Sequence, residues 1–298
     1  MDLYSALLSN THAKIFCDEP MKKHTSLGVG GKAKFYAEAD SLYTLNELIC
    51  FAIEHNLPYK IIGNGTNLLV SDNGFNGLVV CTVKLNDVFF VRDEIRVMAG
   101  ATIGKLIKFA KENRLAGLEP FCGIPATVGG AIVMNAGAFG HNISEYISSV
   151  ETLKNGKLHK YYVNDCGFSY RRSRFLGKKE IIVSANFRLK EGRKETINNS
   201  IKTYTELRQS IQPVGRTCGS VFKNPIDSET AGRLIDKCGL KGYSIGGAVI
   251  SEKHGNFIIT KSSATASDVY NLIKHVKEKV KNEFQIELIE EVEFLGEF

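Results

Sequence analysis

Apolar residues recur at helical spacing in several stretches of the chain. Leu42, Leu45, Leu48, Ile49, Ala52 and Ile53 form one stripe, so a helix is expected over 41–56 with Asp40 or Ser41 as its cap. Thr102, Ile103, Leu106, Ile107 and Ala110 predict a second helix over 102–113. Val269, Leu272, Ile273, Val276 and Val280 predict a third over 267–282. A polar helix and linker are expected over 194–211, where a domain boundary fits. A shorter helix is expected over 228–238, capped by Ser228 and closed by Gly239. Residues 1–20 read as a short helix and a linker. Period-two alternation and β-branched runs place strands after the turn in 24–39, at Ile61-Ile62, at Leu78–Cys81 and at 94–99, 147–153, 158–163, 180–189, 247–251 and 256–260. A last strand is expected over 285–295, where Ile286, Leu288, Glu290, Val292 and Phe294 alternate with Glu287, Ile289, Glu291, Glu293 and Leu295.

Two glycine-rich blocks interrupt this pattern. In IIGNGTNLLVSDNGFNGLVV (61–80), Gly63-Asn64-Gly65 follows a strand and gives main-chain N–H groups access to an anion without an intervening side chain. A diphosphate fits such a turn, and so does a bare hairpin with no ligand. No GxGxxG enters a helix and no Gly-Lys-Ser/Thr ends a loop, which excludes a Rossmann fingerprint and a P-loop. The second block, GLEPFCGIPATVGGAIVMNAGAFG (117–140), has the low bulk of a backbone pressed on a flat ligand, or of a tightly packed helix start. Between two later strands, GFSYRRSRF (167–175) groups Arg171, Arg172 and Arg174. Read as extended, it sets Arg172 and Arg174 on one face and Arg171 on the other. One of them is a candidate carboxylate clamp, the alternative being a solvated basic edge. Ser220 sits in a Gly-flanked turn without a GxSxG elbow, so it is not read as a hydrolase nucleophile.

Composition narrows the classes. The 298 residues suffice for two or three domains, and 43% hydrophobic with 23% charged residues is ordinary for a globular protein. A net charge of +6 without a basic, aromatic-interleaved stretch disfavours nucleic acid and suits small anionic ligands. Seven scattered cysteines and seven histidines show neither CxxC nor HExxH spacing, so no disulfide framework and no metal are expected. The first twenty residues do not read as a signal peptide and no apolar run reaches membrane length, so a soluble cytoplasmic protein without a signal peptide is expected.

Eight segments in order resemble the UDP-N-acetylenolpyruvoylglucosamine reductase family: TSLGVGG, the 61–80 block, CGIPATVGGAIVMNAGAFG, SYRRSRF, QPVGRTCGSVFKNP, AGRLIDKCGLKGYSIGGA, SEKHGNFI and EEVEFLG. The likeness runs from His24 to Gly296. Ala126, Val249, Gly255 and Glu293 depart from the usual Gly, Gln, Ala and basic residue, and the short interval after Phe175 matches the shorter family type. The resemblance implies an α+β protein whose FAD-binding module is of the vanillyl-alcohol oxidase and cresol flavoenzyme kind, with two subdomains and a C-terminal α+β substrate-binding domain. The implied limits are 1–70, joined by the last strand at about 290–298, then 71–192, then 200–289.

The resemblance also implies the chemistry. NADPH reduces non-covalently bound FAD, whose N5 passes hydride to the enolpyruvyl methylene of a UDP-sugar, giving UDP-N-acetylmuramate for peptidoglycan. Gly63, Asn64, Gly65, Thr66, Asn67 and Leu68, with Gly123, Ile124, Thr127, Gly129, Gly130 and Ala131, would line the cofactor. Arg171 would grip the substrate carboxylate, Glu291 would join it as a hydrogen-bonding partner, and Ser220 would protonate the adjacent carbon. If Glu291 donates, it must be protonated, which burial favours. Tyr170, Lys223 and Asn224 would bind the UDP-sugar. The expected working form is a monomer, with no nucleic acid or membrane partner.

Overall fold

The computed structural model describes residues 3–226 and 228–298. By its internal contacts the chain divides into two compact units, one of residues 3–17, 35–64 and 77–208, the other of 18–34, 65–76, 209–226 and 228–298.

The first unit carries helices α1 (Leu3–Asn10), α2 (Leu42–Glu54), α3 (Ile103–Glu112), α4 (Val128–Val133) and most of α5 (Lys194–Ile211). Of the two candidate caps for α2, Ser41 is the one used: its Oγ accepts the Thr44 N–H at 3.0 Å. Thr102 caps α3 in the same way through the Lys105 N–H. The stripe of α2 (Leu45, Leu48, Ile49) is buried with Phe35, Ala37, Leu78 and Val80. The strand Tyr59–Ile62 runs parallel to Leu78–Cys81, at one edge of a four-stranded sheet. A second, antiparallel sheet has the order Lys157–Tyr162, Ile147–Lys154, Ile181–Phe187, Glu94–Met98, Val88–Val91. Val97, Val150, Ala185 and Phe187 from that sheet share a core with Leu106 of α3 and Ile132 of α4. Two readings need correction here. Residues 14–20 form a strand, not a linker, and the strand Val88–Val91 has no counterpart in the sequence reading.

The second unit packs α6 (Ala231–Lys237) and α7 (Ala266–Phe284) with a three-stranded antiparallel sheet, Ser244–Ile245, Ala248–Ile250 and Ile258–Thr260. All five stripe residues of α7 are buried, together with Leu234, Ile235, Ile250, Ile258, Val221 and Phe222. A capping box of Thr265 and Asp268 starts α7, and the Asp72 carboxylate accepts the N–H groups of Ala266 and Ser267 at 2.8 Å each. Leu68–Val70, where no strand is expected from the sequence, is a short strand parallel to Glu293–Leu295. The expected helix over 228–238 is shorter. It begins at Ala231 after Thr230, and Asn224 Oδ1, not Ser228, accepts the Ala231 N–H. The expected strand over 285–295 shrinks to Glu293–Leu295. Gln285 takes a left-handed φ of +59° as α7 ends, and the main chain of 289–291 pairs locally with residues 221–223 instead of extending a sheet. Among the described residues, no helix is long and apolar enough to cross a membrane.

Candidate functional site

The candidate residues fall into two groups in the first unit and two in the second. In the first unit, the turn after the strand Tyr59–Ile62 lies against the loop that starts α4. Asn64 Nδ2 donates to the Pro125 carbonyl at 2.8 Å. A Cβ on Gly63 would overlap Thr127 Oγ1 and lie 2.8 Å from Thr127 Cγ2. Thr127 is buried and caps α4, accepting the Gly130 N–H. Gly129 leaves its only room to the Ala99 methyl, 2.9 Å from where its own Cβ would sit. The packing reading of the second glycine block therefore holds at Gly129, whereas Gly130 is exposed at the first turn of α4. Gly123 has φ +78°, and its Cβ would meet Arg208 Cδ at 2.9 Å. Arg208 Nε donates to the Cys122 carbonyl at 2.9 Å, and burial pushes the guanidinium below its ordinary pKa. Ile124 is half-buried and Ala131 buried in the same segment.

The second group surrounds Arg171. The extended reading of 167–175 is wrong. Ser169 and Arg172 exchange backbone hydrogen bonds at 3.0 and 3.2 Å, and Arg171 at the bend has φ +50°. Asn135 Nδ2 holds the Ser169 carbonyl at 2.9 Å, and Ser173 Oγ donates to the Val133 carbonyl at 2.7 Å, so the turn docks on the C-terminal end of α4. The guanidinium of Arg171 donates to the Gly137 carbonyl at 3.2 Å and lies 5.3 Å from the centre of the half-exposed Tyr170 ring. A Cβ on Gly137 would come 2.8 Å from Arg171 Nη1. Arg174 stacks over the Tyr161 ring at 3.9 Å beside Glu180, a packing role, and Arg172 is exposed.

In the second unit, Gly65 takes φ +59°, and a Cβ there would overlap the His24 carbonyl. The Gly65 carbonyl accepts the Ser26 N–H at 3.1 Å, while the buried Ser26 Oγ has no hydrogen-bond partner among the described residues. Thr66 is half-buried beside them. Asn67 is spent on structure: its Nδ2 donates to the Glu291 carbonyl at 2.9 Å and its own carbonyl accepts the Glu293 N–H at 3.0 Å. Leu68 is buried and pairs with Glu293.

The fourth group brings together two residues predicted to share a role. Segment 220–223 pairs on one side with 289–292: Glu291 N–H donates to the Val221 carbonyl at 2.7 Å, and Lys223 N–H to the Ile289 carbonyl at 2.9 Å. On its other side Ser220 bridges Phe257. Ser220 and Glu291 are both half-buried, and Gly219 (φ +81°) precedes the serine in open space. Cys218, fully buried two residues earlier, has its thiol pushed up to about 12 by burial, reinforced by the nearby Glu291 charge. Lys223 is half-buried, and Asn224 is exposed with its side chain at the start of α6. Sequence reasoning singled out neither Asn135 nor Asn256, and it noted Gly137 only as one of the glycines of the 117–140 block. Each lies inside a motif quoted for its resemblance, and a lone Asn among apolar residues (Phe257, Ile258) was the available signal for Asn256.

Comparison with known proteins gives this geometry its context. Residues 209–295 match the family model described as UDP-N-acetylenolpyruvoylglucosamine reductase, C-terminal domain, and residues 33–161 match the FAD binding domain model. The UDP-N-acetylenolpyruvoylglucosamine reductase of Carboxydothermus hydrogenoformans is 40% identical over 298 residues, covering 99% of this chain and 98% of that protein. The protein of that name from Clostridium botulinum is 41% identical over 285 residues, 95% of this chain and 93% of its own. The crystal structure of UDP-N-acetylenolpyruvylglucosamine reductase from Thermus caldophilus superposes with a TM-score of 0.81 at 34% identity, covering 96% and 99% of the two chains. A BBE-like protein of Physcomitrella patens shares the fold at TM-score 0.50 and 13% identity, over 64% of this chain and 45% of that one.

Proposed function

This chain belongs to the UDP-N-acetylenolpyruvoylglucosamine reductase family, and from that premise we propose that it makes UDP-N-acetylmuramate for peptidoglycan from UDP-N-acetylenolpyruvoylglucosamine, with NADPH as reductant. It is an FAD-dependent oxidoreductase of α+β fold. The observation that best supports the finer reading is the pairing of 220–223 with 289–292. It sets the segments of two candidate catalytic side chains, Ser220 and Glu291, side by side.

The residues around the glycine turns fit the cofactor. Gly63 and Gly65 have no room for a side chain, and the buried Ser26 hydroxyl next to Gly65 lacks a hydrogen-bond partner among the described residues. Main-chain donors in such a turn suit a diphosphate without a lysine. We assign Gly63, Asn64, Gly65, Thr66, Asn67 and Leu68 to one part of the cofactor, and Gly123, Ile124, Thr127, Gly129, Gly130 and Ala131 to another. Asn67 and Leu68 would take part through main-chain N–H groups, since the Asn67 side chain and carbonyl bond residues 291 and 293 and Leu68 pairs with Glu293. FAD, when bound, supplies the hydride chemistry that links NADPH to the enolpyruvyl group.

Hydride addition to the methylene carbon leaves negative charge on the adjacent carbon and its carboxylate. Arg171 meets that charge with a planar fork of donors, whose loss typically costs about 10²–10³ in rate. Glu291, in its protonated form, donates a hydrogen bond to the same carboxylate. Ser220 Oγ then gives its proton to the carbon, the kind of transfer that contributes roughly 10²–10⁴. A hydroxyl is a weak acid, yet a carbanion-like carbon is basic enough to take its proton. Tyr170, Lys223 and Asn224 hold the UDP-sugar, the lysine by its charge on the diphosphate. The assay is direct. NADPH oxidation by the purified yellow protein should require enolpyruvyl-UDP-N-acetylglucosamine and yield a product two hydrogens heavier. NADPH oxidation indifferent to that compound would refute the reading.

A further inference from the structure

We propose that Asn256 is a positioning residue for the protonation step, holding the segment that carries Ser220 and Lys223 through its side-chain amide. The proposal rests on the role given to Ser220 above.

Segment 220–223 is the middle of a local three-stranded arrangement, and its two sides are completed differently. Along one side the partner is main chain, from Ile289 to Val292. Along the other, main-chain pairing runs only as far as Val221, whose N–H donates to the Asn256 carbonyl at 2.9 Å. The next antiparallel partner of Phe222 would be Gly255, but the chain has left the ladder there. Gly255 is pressed onto α6, where a Cβ would stand 2.6 Å from the Gly232 carbonyl, and His254 packs over Gly232. Two peptide groups of Phe222 would therefore face a buried edge with no partner. The Asn256 side chain takes their place. Its Oδ1 accepts the Phe222 N–H at 2.9 Å and its Nδ2 donates to the Phe222 carbonyl at 2.8 Å.

This amide acts as one further peptide group of the ladder. Asn256 is only 4% exposed, so its bonds are made away from competing water. It is itself fixed, because its N–H donates to His254 Nδ1 at 3.2 Å. Phe222 lies two residues after Ser220 and directly before Lys223. A shift of its peptide plane moves the proton donor and the diphosphate contact together. Misplacement of a reacting group by about 1 Å can cost on the order of 10²-fold. Asp has the same length but lacks the donor that the Phe222 carbonyl requires.

The test uses the FAD-loaded full chain and separates the two half-reactions. Asn256→Ala and Asn256→Asp should bind FAD and be reduced by NADPH within about twofold of the parent. Reoxidation by enolpyruvyl-UDP-N-acetylglucosamine should slow roughly tenfold to a hundredfold. The solvent deuterium isotope effect on that step should rise, and the KM for the UDP-sugar should increase. A purely structural asparagine would lower the melting temperature and leave both half-reactions and the isotope effect unchanged, which would overturn the proposal. Failure of both variants to fold or to take up FAD would overturn it as well, by showing that the amide serves the fold as a whole. Ser220→Ala, run in parallel, distinguishes the two failures. If it reoxidises normally, the role of Ser220 falls and the positioning role with it; if it is slow while the Asn256 variants are not, only the positioning role falls.

Discussion

A single methyl group on Gly63 would have nowhere to go but into Thr127, whose hydroxyl caps α4 and whose side chain is buried. Gly63→Ala should therefore cost about 1–3 kcal/mol of stability by overpacking and lower the FAD content of the purified protein, both readable by thermal denaturation and the flavin-to-protein absorbance ratio. Gly137→Ala is the complementary case. Its added carbon would meet the movable ends of Arg171 at 2.8 Å and Asn142 at 2.9 Å, and the His141 carbonyl at 3.2 Å, with no positive φ to strain the backbone. It should leave flavin reduction by NADPH intact and slow substrate-dependent reoxidation about tenfold or more, with Arg171→Lys slowing it further because the planar fork is gone. Ser220→Ala should likewise spare the NADPH half-reaction and slow the second about 10²–10⁴-fold; equal rates in stopped-flow would remove Ser220 from proton transfer. Spacing made Gly63 and Gly65 visible together, but for only half of the right reason. Gly65 does need its left-handed φ, whereas Gly63 is required by a side chain 64 positions away, which no local pattern reveals.

Among the elements, the longer amphipathic helices were legible almost to the residue, because a buried stripe and a capping hydroxyl are both written locally. The apolar stripes of α3 and α7 are buried as read, and that of α2 is buried at Leu45, Leu48, Ile49 and Ala52 but leaves Leu42 half-buried and Ile53 exposed. Errors gathered where the deciding partner is distant. Alternation over 285–295 signalled pairing correctly but not its length, since 289–292 pairs with 221–223 and only Glu293–Leu295 joins a strand. The turn at 169–172 was hidden for the same reason: Asn135 and the end of α4, not the SYRR sequence, bend it. The 251–257 loop carries a pH prediction. Burial, with a smaller contribution from Lys241, lowers the His254 pKa from its usual 6.5, and Nδ1 must stay unprotonated to accept the Asn256 N–H. A depressed folded-state pKa stabilises the fold above pH 6.5 and loses that contribution as pH falls through the folded value. Melting temperature should thus fall between pH 6.5 and lower pH in the parent, and the fall should be smaller in His254→Asn, which has no such proton to take up. Parallel pH curves would remove His254 from the loop's acid response.

For the molecule as a whole, order counted for more than any one motif. Eight modest segments in sequence identified the family that identity of 40% over 99% of the chain then shows. The α+β class and the FAD-binding fold followed from that likeness, since composition alone gave only an ordinary globular chain with a mild positive charge. Periodicity could not have supplied the chemistry, because Arg171, Ser220 and Glu291 are separated by 49 and 71 positions and belong to different units. We assign all three to one proposed reaction, in which electrons reach a UDP-sugar from reduced FAD while this chain's own groups hold the carboxylate and deliver a proton. The direct test is anaerobic: reduce the FAD-loaded protein with one equivalent of NADPH, then add enolpyruvyl-UDP-N-acetylglucosamine and follow the flavin absorbance. Rapid return of the oxidised spectrum is expected, with one equivalent of UDP-N-acetylmuramate formed. A spectrum that stays bleached until air is admitted would contradict the assignment.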